Sequence, residues 1–373
     1  MQVPRCAIRR LRTLAAVVCA VLGLALDAAA QEQPDSTATK DFDWFAYPYV
    51  FYSPETNLAF GGGGIMYFYL SRDSLTKPSS ITPSFYYSIN NQFDFTIFPE
   101  VYFAQGRYYL YAYLSIGEYI DKFYGVGPTT VEIPEPGYLY QNILMRGNFQ
   151  WSFTPTMKLG AVVEYLNRDI LDKQSNPFLL SDTVRGSSGG KTVGLGAIAS
   201  WDTRNHRFYP SDGHLFELSA LFVSRAFGGD FDYNRYKVDM RWYHRLGMTE
   251  DHVLGIQGYG NFVRGFPPFY DLSAMGGKMM MRGYYTGRYR DYDYASGQVE
   301  YRTRLLKRIG MVLFTAAGLV NSPETKLRLK DLKYSYGIGF RYVFDVAEKI
   351  DIRADFGFGP GTSGVYVDIQ QAF

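Results

Sequence analysis

A glycine-rich and aromatic segment in the last third of the chain contains residue types suited to holding a loop by ion pairing. The glycine pair Gly276 and Gly277 leads into Arg282, Gly283 and Tyr284. A guanidinium can bind a carboxylate through two hydrogen bonds in a fixed geometry that lysine cannot reproduce. Glycine lets the backbone turn sharply or approach a wall closely. These residue types suit a loop tether, in which Arg282 would supply the charge, Gly283 would let the backbone turn or approach the wall, and Tyr284 would pack beside the arginine.

Three acidic residues on later segments are candidate partners for this arginine. Glu300 alternates with apolar neighbours after the glycine-rich segment, and Asp351 and Asp355 alternate with apolar residues near the end of the chain. Alternate residues of a strand share one face. We therefore expect each of these three carboxylates to lie on the polar face of its strand, opposite the apolar face. On that face they can meet Arg282.

Catalytic and metal-binding chemistry has little support in the sequence. The four histidines do not pair with a serine in a recognisable motif, and Gly186–Gly190 matches G-x-S-x-G around Ser188 only in a polar loop. A nucleophile of that kind needs a strand–turn–helix context. We assign no catalytic residue, no metal ligand and no cofactor, and predict that the protein is not an enzyme.

The first 30 residues have the pattern of a secretory signal peptide. Four arginines precede an apolar run over 14–26, and Ala28–Ala30 form a small-residue cleavage site. Both cysteines, Cys6 and Cys19, lie in this segment, so the mature chain is expected to have no thiol. Residues 31–43 are polar and predict a short disordered periplasmic segment, which leaves 44–373 as one domain.

Charge and composition narrow the class of protein. The chain has 38 basic and 36 acidic residues, and removal of four arginines and one aspartate with the signal peptide leaves 34 and 35, which gives no basic excess for nucleic acid. There are 33 Tyr, 28 Phe and 38 Gly, yet the mean hydropathy is only −0.17. This balance is typical of an outer-membrane barrel, whose strands alternate between lipid-facing apolar and lumen-facing polar side chains.

Alternation along the chain predicts a transmembrane antiparallel β-barrel, an all-β fold. Residues 93–103, 233–245, 299–305 and 350–358 each place apolar and charged side chains on opposite faces. Segments of about ten residues are long enough to cross the hydrocarbon core. The sixteen predicted strands are 45–53, 58–71, 80–90, 93–104, 107–118, 138–153, 156–169, 190–202, 213–225, 232–247, 252–265, 296–307, 310–321, 334–345, 349–358 and 363–373.

The lengths of the predicted connections assign the two ends of this barrel. Short turns predicted on the periplasmic side are 104–107, 154–156, 247–251, 307–310 and 346–349. Longer connections at 119–137, 170–189 and 266–295 are predicted outside the cell, as in bacterial barrels.

Three motifs, taken together, resemble a known family. They are Tyr52–Thr56 with Gly61–Gly64, Asp202–Asn205 followed by 208–213, and the Arg282 loop with the strand 298–304. The combination resembles the BamA/TamA-like outer-membrane barrels, the bacterial surface antigen superfamily. This resemblance implies that one long extracellular loop folds into the lumen and that its arginine meets carboxylates of the inner wall. Ala316-Ala317-Gly318 replaces a frequent aspartate of the family, which shifts the expected partner to Glu300 or Asp355.

A second tetrapeptide, Val263-Arg264-Gly265-Phe266, matches the family's loop motif more literally than 281–284 does. We prefer Arg282, since a glycine pair precedes it and a strand follows at the right distance. Arg264 is expected to close the preceding strand at the membrane surface.

The chain ends in Phe373, with Val365, Val367 and Ile369 predicted on the same face of the last strand. A terminal aromatic on such a strand resembles the signal that the barrel assembly machinery recognises during biogenesis.

For function, the resemblance implies outer-membrane protein insertion, translocation or membrane assembly in a Gram-negative bacterium, in contact with the lipid bilayer. We expect a short member without POTRA domains, which leaves room for a separate periplasmic partner. One alternative is a gated or passive pore for small solutes or lipids, with a basic lining from Arg235, Lys237, Arg241 and Arg245. An outer-membrane enzyme is the other alternative.

Overall fold

The computed structural model describes residues 42–70, 78–133, 137–174, 176–207, 209–247, 252–325, 328–345, 350–369 and 371–373. The predicted signal peptide, 1–30, and residues 31–41 of the predicted disordered segment lie outside this range. The first strand begins at Phe42, so Phe42 and Asp43 belong to the barrel and not to the preceding segment.

Sixteen long strands of the described chain close into one antiparallel barrel, which confirms the predicted fold class. Each strand pairs with its neighbours along the chain, and the first pairs with the last. The barrel strands are β1 (Phe42–Ser53), β2 (Asn57–Phe68), β3 (Ser79–Ser88), β4 (Phe93–Phe103), β5 (Tyr108–Lys122), β6 (Gly137–Ser152), β7 (Met157–Asp172), β8 (Gly189–Asp202), β9 (Gly213–Val223), β10 (Tyr233–Arg245), β11 (His252–Gly265), β14 (Asp293–Leu306), β15 (Ile309–Asn321), β16 (Lys333–Asp345), β17 (Ile350–Gly359) and β18 (Thr362–Ile369).

Two further strands lie within the connection from β11 to β14. These are β12 (Ser273–Met275) and β13 (Tyr289–Asp291), which pair with each other and not with the barrel wall. Helices in the described part of the chain are single turns such as Pro177–Leu180, and none is long and apolar enough to cross a membrane.

The barrel carries its apolar side chains outward and its charges inward. On β17, Ile352, Phe356 and Phe358 are exposed, whereas Arg353 and Asp355 are buried. A soluble core has the reverse arrangement, because burying charge without partners is costly. The outer face therefore suits an apolar surrounding, and the interior must satisfy its charges by pairing.

The strand directions sort the connections between the two ends of the barrel. Because the barrel has an even number of antiparallel strands, the start of β1 and the end of β18 lie at the same end of the barrel. The strand ends that flank the connections after β4, β6, β10, β14 and β16 also lie at that end, and the strand ends that flank the long connections after β5, β7 and β11 lie at the other. This is the grouping that the lengths of the connections predicted. Residues 248–251 and 346–349 of the predicted short turns, and residues 134–136 and 175 of the long connections, lie outside the described residues.

The last strand is shorter than predicted, and the prediction that it reaches Phe373 was wrong. β18 ends at Ile369, and Phe373 lies buried inside the barrel with its ring stacked on Tyr243 of β10, 6.0 Å between centroids. Arg302 Nη2 donates a hydrogen bond to the Phe373 backbone oxygen at 2.7 Å. A tertiary contact thus replaces the ladder that the alternation pattern predicted.

The pairing that closes the barrel, between β1 and β18, is the weakest of the described wall. Among the described residues, a single register pair, Tyr52 with Val367, joins these two strands. Other neighbouring strands share eight or more such pairs, for example Ile352–Gly359 of β17 with Thr362–Ile369 of β18. We call this junction the seam.

Candidate functional site

The connection from β11 to β14 contains a tight loop, which we call the tip, whose backbone conformation requires glycine. The β12–β13 hairpin brackets residues 276–288. Gly276 and Gly277 have φ of +110° and +109°, a region that side chains other than glycine rarely adopt. The Gly277 N–H donates to the Tyr284 oxygen at 3.0 Å, and a Cβ on Gly276 would lie 2.3 Å from the Tyr285 oxygen. The predicted lead-in therefore forms a tight loop base.

Arg282, at the far side of this tip, is fully buried and contacts two carboxylates. Its Nη1 donates to Asp355 Oδ2 at 2.7 Å, and its Nη2 donates to Glu300 Oε1. The guanidinium also stands 3.6 Å from the ring centroid of Phe314, a cation–π contact. The structure thus brings Arg282 together with Glu300 and Asp355, two of the three candidate partners.

Asp351, the third candidate, does not contact Arg282. It accepts a hydrogen bond from Gln371 Nε2 at 2.5 Å. Asp351 shares the inward face of β17 with Asp355 but lies four residues away, which is about 13 Å along a strand. Alternation identified its face correctly and could not give its height in the barrel.

Three more arginines surround the same two carboxylates, and the sequence reasoning did not single them out. Arg302 Nε donates to Glu300 at 3.0 Å, while Arg341 and Arg353 donate to Asp355 at 2.5 Å and 3.0 Å. We call Arg282, Arg302, Arg341, Arg353, Glu300 and Asp355 the charge cluster. The alternation of β14 and β17 had placed Arg302 and Arg353 on the charged faces, and this signal could have found them.

Gly283 and Tyr284 pack against the last three strands. The Gly283 N–H donates to the Tyr366 hydroxyl at 3.1 Å, and its oxygen accepts from Thr362 Oγ1 at 2.7 Å. Gly283 has φ of +109°, and a Cβ there would lie 2.8 Å from the Phe358 nitrogen. The Tyr284 hydroxyl donates to the Tyr334 oxygen at 3.2 Å. Only glycine permits this approach of the loop to β17.

The charge of Arg282 is favoured by its neighbours. Burial acts to lower the pKa of Arg282, but the carboxylates of Glu300 and Asp355 raise this pKa above its ordinary value. Burial also raises the pKa of the Tyr284 phenol to about 12, so this hydroxyl remains a donor. Both groups keep the protonation state that their hydrogen bonds need.

The competing arginine, Arg264, occupies a different environment. It lies near the end of β11, pairs with Asp293 of β14, and its side chain is 44% exposed. This is the strand-end position expected for it. Arg264 is therefore separate from the charge cluster.

The same connection is anchored at a second place that the sequence did not reveal. Asp271 accepts a hydrogen bond from the Tyr233 hydroxyl at 2.7 Å and lies 4.0 Å from Arg235. Phe269 packs into a buried aromatic cluster with Phe123 and Tyr138. Burial raises the pKa of Asp271, although Arg235 opposes this shift. The connection is therefore fixed both at its tip and near its start.

A closed barrel of sixteen antiparallel strands with a charged interior is the architecture of outer-membrane β-barrel proteins. Residues 86–370 match the Omp85 superfamily domain, so the chain belongs to the Omp85 superfamily. No curated protein matches the chain.

Solved structures with a similar fold include one BamA barrel and two CdiB barrels. BamA from Haemophilus ducreyi lacking POTRA domains 1-3 aligns with a TM-score of 0.62 at 12% identity, over 90% of this chain and 71% of that one. CdiB from Acinetobacter baumannii gives 0.57 at 12% identity, over 89% and 60%. CdiB from Escherichia coli gives 0.55 at 12% identity, over 89% and 63%. The chain thus spans less than two thirds of either CdiB, and at this identity the likeness concerns the fold.

Proposed function

We propose that this protein inserts or translocates β-rich proteins at the outer membrane of a Gram-negative bacterium and that the seam is where client strands engage. Membership of the Omp85 superfamily and the likeness to BamA and CdiB barrels support the class of activity. The observation that carries the proposal is the seam itself.

The seam leaves much of one edge of β1 without a described partner. On its β2 side, β1 is paired along its whole length, from Phe42 with Phe68 to Ser53 with Asn57. On its β18 side, the single pair Tyr52 with Val367 joins the described residues. An unpaired strand edge presents backbone N–H and C=O groups that template an added strand. An incoming client strand could therefore extend the sheet at β1.

Reconstitution tests this function directly. Liposomes that contain the purified protein are mixed with a different, urea-unfolded outer-membrane barrel, and its folding is followed by the gel shift between heated and unheated samples. We expect folding about tenfold faster than with empty liposomes, which corresponds to about 1.4 kcal/mol in the barrier. A rate equal to that of empty liposomes would contradict the proposal.

We also propose that residues 276–287 fold into the lumen and that Arg282 tethers them there. Support comes from the contacts of this tip with inward side chains of β14 and β17 and with Tyr366 of β18. Such a loop obstructs the barrel, which favours a sealed lumen over an open pore.

The pore alternative is weakened by the pairing of the three arginines in the expected basic lining, which also included Lys237. Arg235 binds Glu164 at 2.5 Å, Arg241 binds Asp239 at 2.6 Å, and Arg245 lies 3.4 Å from Asp212. A lining whose arginines are paired offers little net attraction to anions. The absence of enzymatic activity stays a prediction, as do the assembly machinery and a separate periplasmic protein as partners.

A further inference from the structure

The connection between β8 and β9 leaves the barrel wall and reaches the inward-facing side chains of distant strands. β8 ends and β9 begins at the same end of the barrel as the start of β1, which is the end predicted to face the periplasm. Residues 203–207 and 209–212 of this connection are described. We call residues 206–207 and 209–211 the strap.

On one side, the strap contacts β4 through an ion pair with two hydrogen bonds. Arg207 Nη1 donates to Glu100 Oε2 at 2.8 Å, and Arg207 Nη2 donates to Glu100 Oε1 at 2.5 Å. The Tyr109 hydroxyl donates to the same carboxylate at 2.9 Å. Glu100 shares the polar face of β4 with the buried Asp94, and β4 lies four strands from β8, about 19 Å along the wall. The strap must therefore leave the wall to reach this carboxylate.

On the other side, the strap packs against β14. Arg302 Nη1 donates to the Pro210 oxygen at 3.5 Å, and the Arg304 guanidinium lies 5.7 Å from the ring centroid of Tyr209. Counted along the closed wall, β14 is eight strands from β4 in a barrel of sixteen, so these two contacts lie on opposite sides of the barrel. The strap therefore crosses this mouth of the barrel.

The neck of the strap is braced by Asn205. Its Oδ1 accepts hydrogen bonds from the backbone N–H groups of Ser211 and Asp212 at 3.0 Å and 3.1 Å, and its Nδ2 donates to Ser211 Oγ at 2.8 Å. Asparagine side chains stabilise turns by such bonds to nearby backbone groups. The strap can therefore move as one unit about its neck.

The two attachments of the strap differ in burial. The Arg207 side chain is 53% exposed, whereas Tyr209 and Ser211 on the other side are buried. An ion pair with a half-exposed partner contributes little to stability, because water competes for the charges. Opening of the strap is therefore expected to begin at Glu100, with the buried side against β14 as the hinge.

We propose that the strap is a gate at the predicted periplasmic mouth, that the ion pair of Arg207 with Glu100 is its latch, and that the closed strap keeps polypeptide segments out of the barrel interior. A single chain cannot fill the mouth of a sixteen-stranded barrel, whose interior is wide enough for an aqueous channel, so small solutes pass beside the strap. This inference goes beyond the proposed insertion activity, and its tests need no client protein.

Trypsin tests the latch directly, because cleavage after Arg207 requires the strap to leave its binding site. Proteolysis of a transiently opened segment follows the population of its open form. The purified, folded protein in detergent is digested, and the fragments that end at Arg207 are quantified by mass. Glu100→Gln should accelerate this cleavage about tenfold, since the neutral amide keeps the shape of the carboxylate and loses its charge. A rate equal to that of the parent would overturn the latch.

Asp293→Asn is the matched control for this digestion. Asp293 binds Arg264, whose side chain is 44% exposed, at the opposite end of the barrel. The variant should leave cleavage after Arg207 unchanged, and its folding, like that of Glu100→Gln, is verified by the gel shift on heating. An equal acceleration in both variants would overturn the assignment of the latch to Arg207 and Glu100.

Entry of a reagent into the barrel interior tests the gate. Tyr113→Cys is introduced together with Cys6→Ser and Cys19→Ser, so that its thiol is the sole one. Tyr113 lies on the same face of β5 as Tyr109 and four residues further from the strap. Labelling by N-ethylmaleimide is compared with labelling by a maleimide that carries a polyethylene glycol chain. Arg207→Glu should raise the rate with the bulky reagent about tenfold and change the rate with the small one by less than about twofold.

A charge swap separates release of the latch from damage to the barrel. Arg207→Glu combined with Glu100→Arg restores an ion pair of reversed direction and should return the bulky-reagent rate to that of the parent. Equal labelling of the swapped protein and of Arg207→Glu alone, or an unchanged rate in Arg207→Glu, would overturn the gate. These results are distinct from the insertion assay, since labelling can follow the latch in a barrel that accelerates no client.

Discussion

A single guanidinium, that of Arg282, joins carboxylates from two strands that are far apart in the sequence. Glu300 lies on β14 and Asp355 on β17, and both are fully buried. Removing one partner of a buried ion pair typically costs about 3–5 kcal/mol, because the remaining charge is left without compensation. Here Arg302, Arg341 and Arg353 also contact these carboxylates, so we expect the free-energy cost of removing Arg282 to lie near the lower limit of this range.

Arg282→Ala should therefore lower the stability of the folded barrel by about 3 kcal/mol and expose the long connection to protease. Arg282→Lys should give a stability between those of the wild type and Arg282→Ala, because lysine keeps the charge and loses the forked geometry. Limited trypsin digestion followed on gels, with the unfolding temperature of the barrel, provides the measurement. Arg264→Ala is the control, because half-exposed pairs such as Arg264 with Asp293 contribute about 0–1 kcal/mol. Equal effects of the two alanine variants would show that Arg282 is not the tether.

The sequence could predict part of this site and not the whole of it. Alternation placed Glu300, Asp351 and Asp355 on inward faces, which is a local property of each strand. Which of them meets Arg282 depends on the stagger between strands and on the course of the loop, and these are tertiary properties. Arg341 was missed for the same reason, since its role arises only when β16 lies beside β17.

At the level of elements, the strand pattern was predictable because strands such as β4, β10, β14 and β17 have one apolar and one polar face along most of their length. Most strand bounds agree with the prediction to within three residues. The strands β12 and β13 were not predicted, since three residues are too few to show a period of two. β18 was predicted too long, because its last residues are recognised by Arg302 and Tyr243 rather than by a neighbouring strand.

At the seam, the first and last strands of the barrel meet with little pairing between them. β1 is fully paired with β2, and β18 is paired with β17, yet the two meet at Tyr52 and Val367 alone among the described residues. Backbone groups without partners are costly in a hydrocarbon environment, so an unpaired edge of β1 favours pairing with any strand that approaches.

At the level of the whole molecule, paired charges and the long connection predict a sealed barrel. In planar bilayers, the intact protein should show no steady conductance, because the tip around Arg282 would obstruct the lumen if it folds inward as we propose. Arg282→Ala should produce frequent openings as the tip is released, whereas Arg264→Ala should remain closed. Large, steady conductance steps from the intact protein would favour the pore alternative instead.

Whether clients are inserted at the seam can be tested by joining β1 and β18 covalently with a disulfide. Residues paired across an antiparallel ladder have Cα atoms about 4.5–5.5 Å apart, within the range of a disulfide. Tyr52→Cys with Val367→Cys should form a disulfide across the seam, and Phe356→Cys with Val365→Cys should form a matched one between β17 and β18.

The decisive quantity is the rate at which each oxidised barrel, reconstituted in liposomes that lack other thiols, folds a client barrel. We predict that the seam-locked protein is no faster than empty liposomes and regains its activity on reduction, while the β17–β18 control is active in both states. A seam-locked protein that folds the client as fast oxidised as reduced would contradict the account.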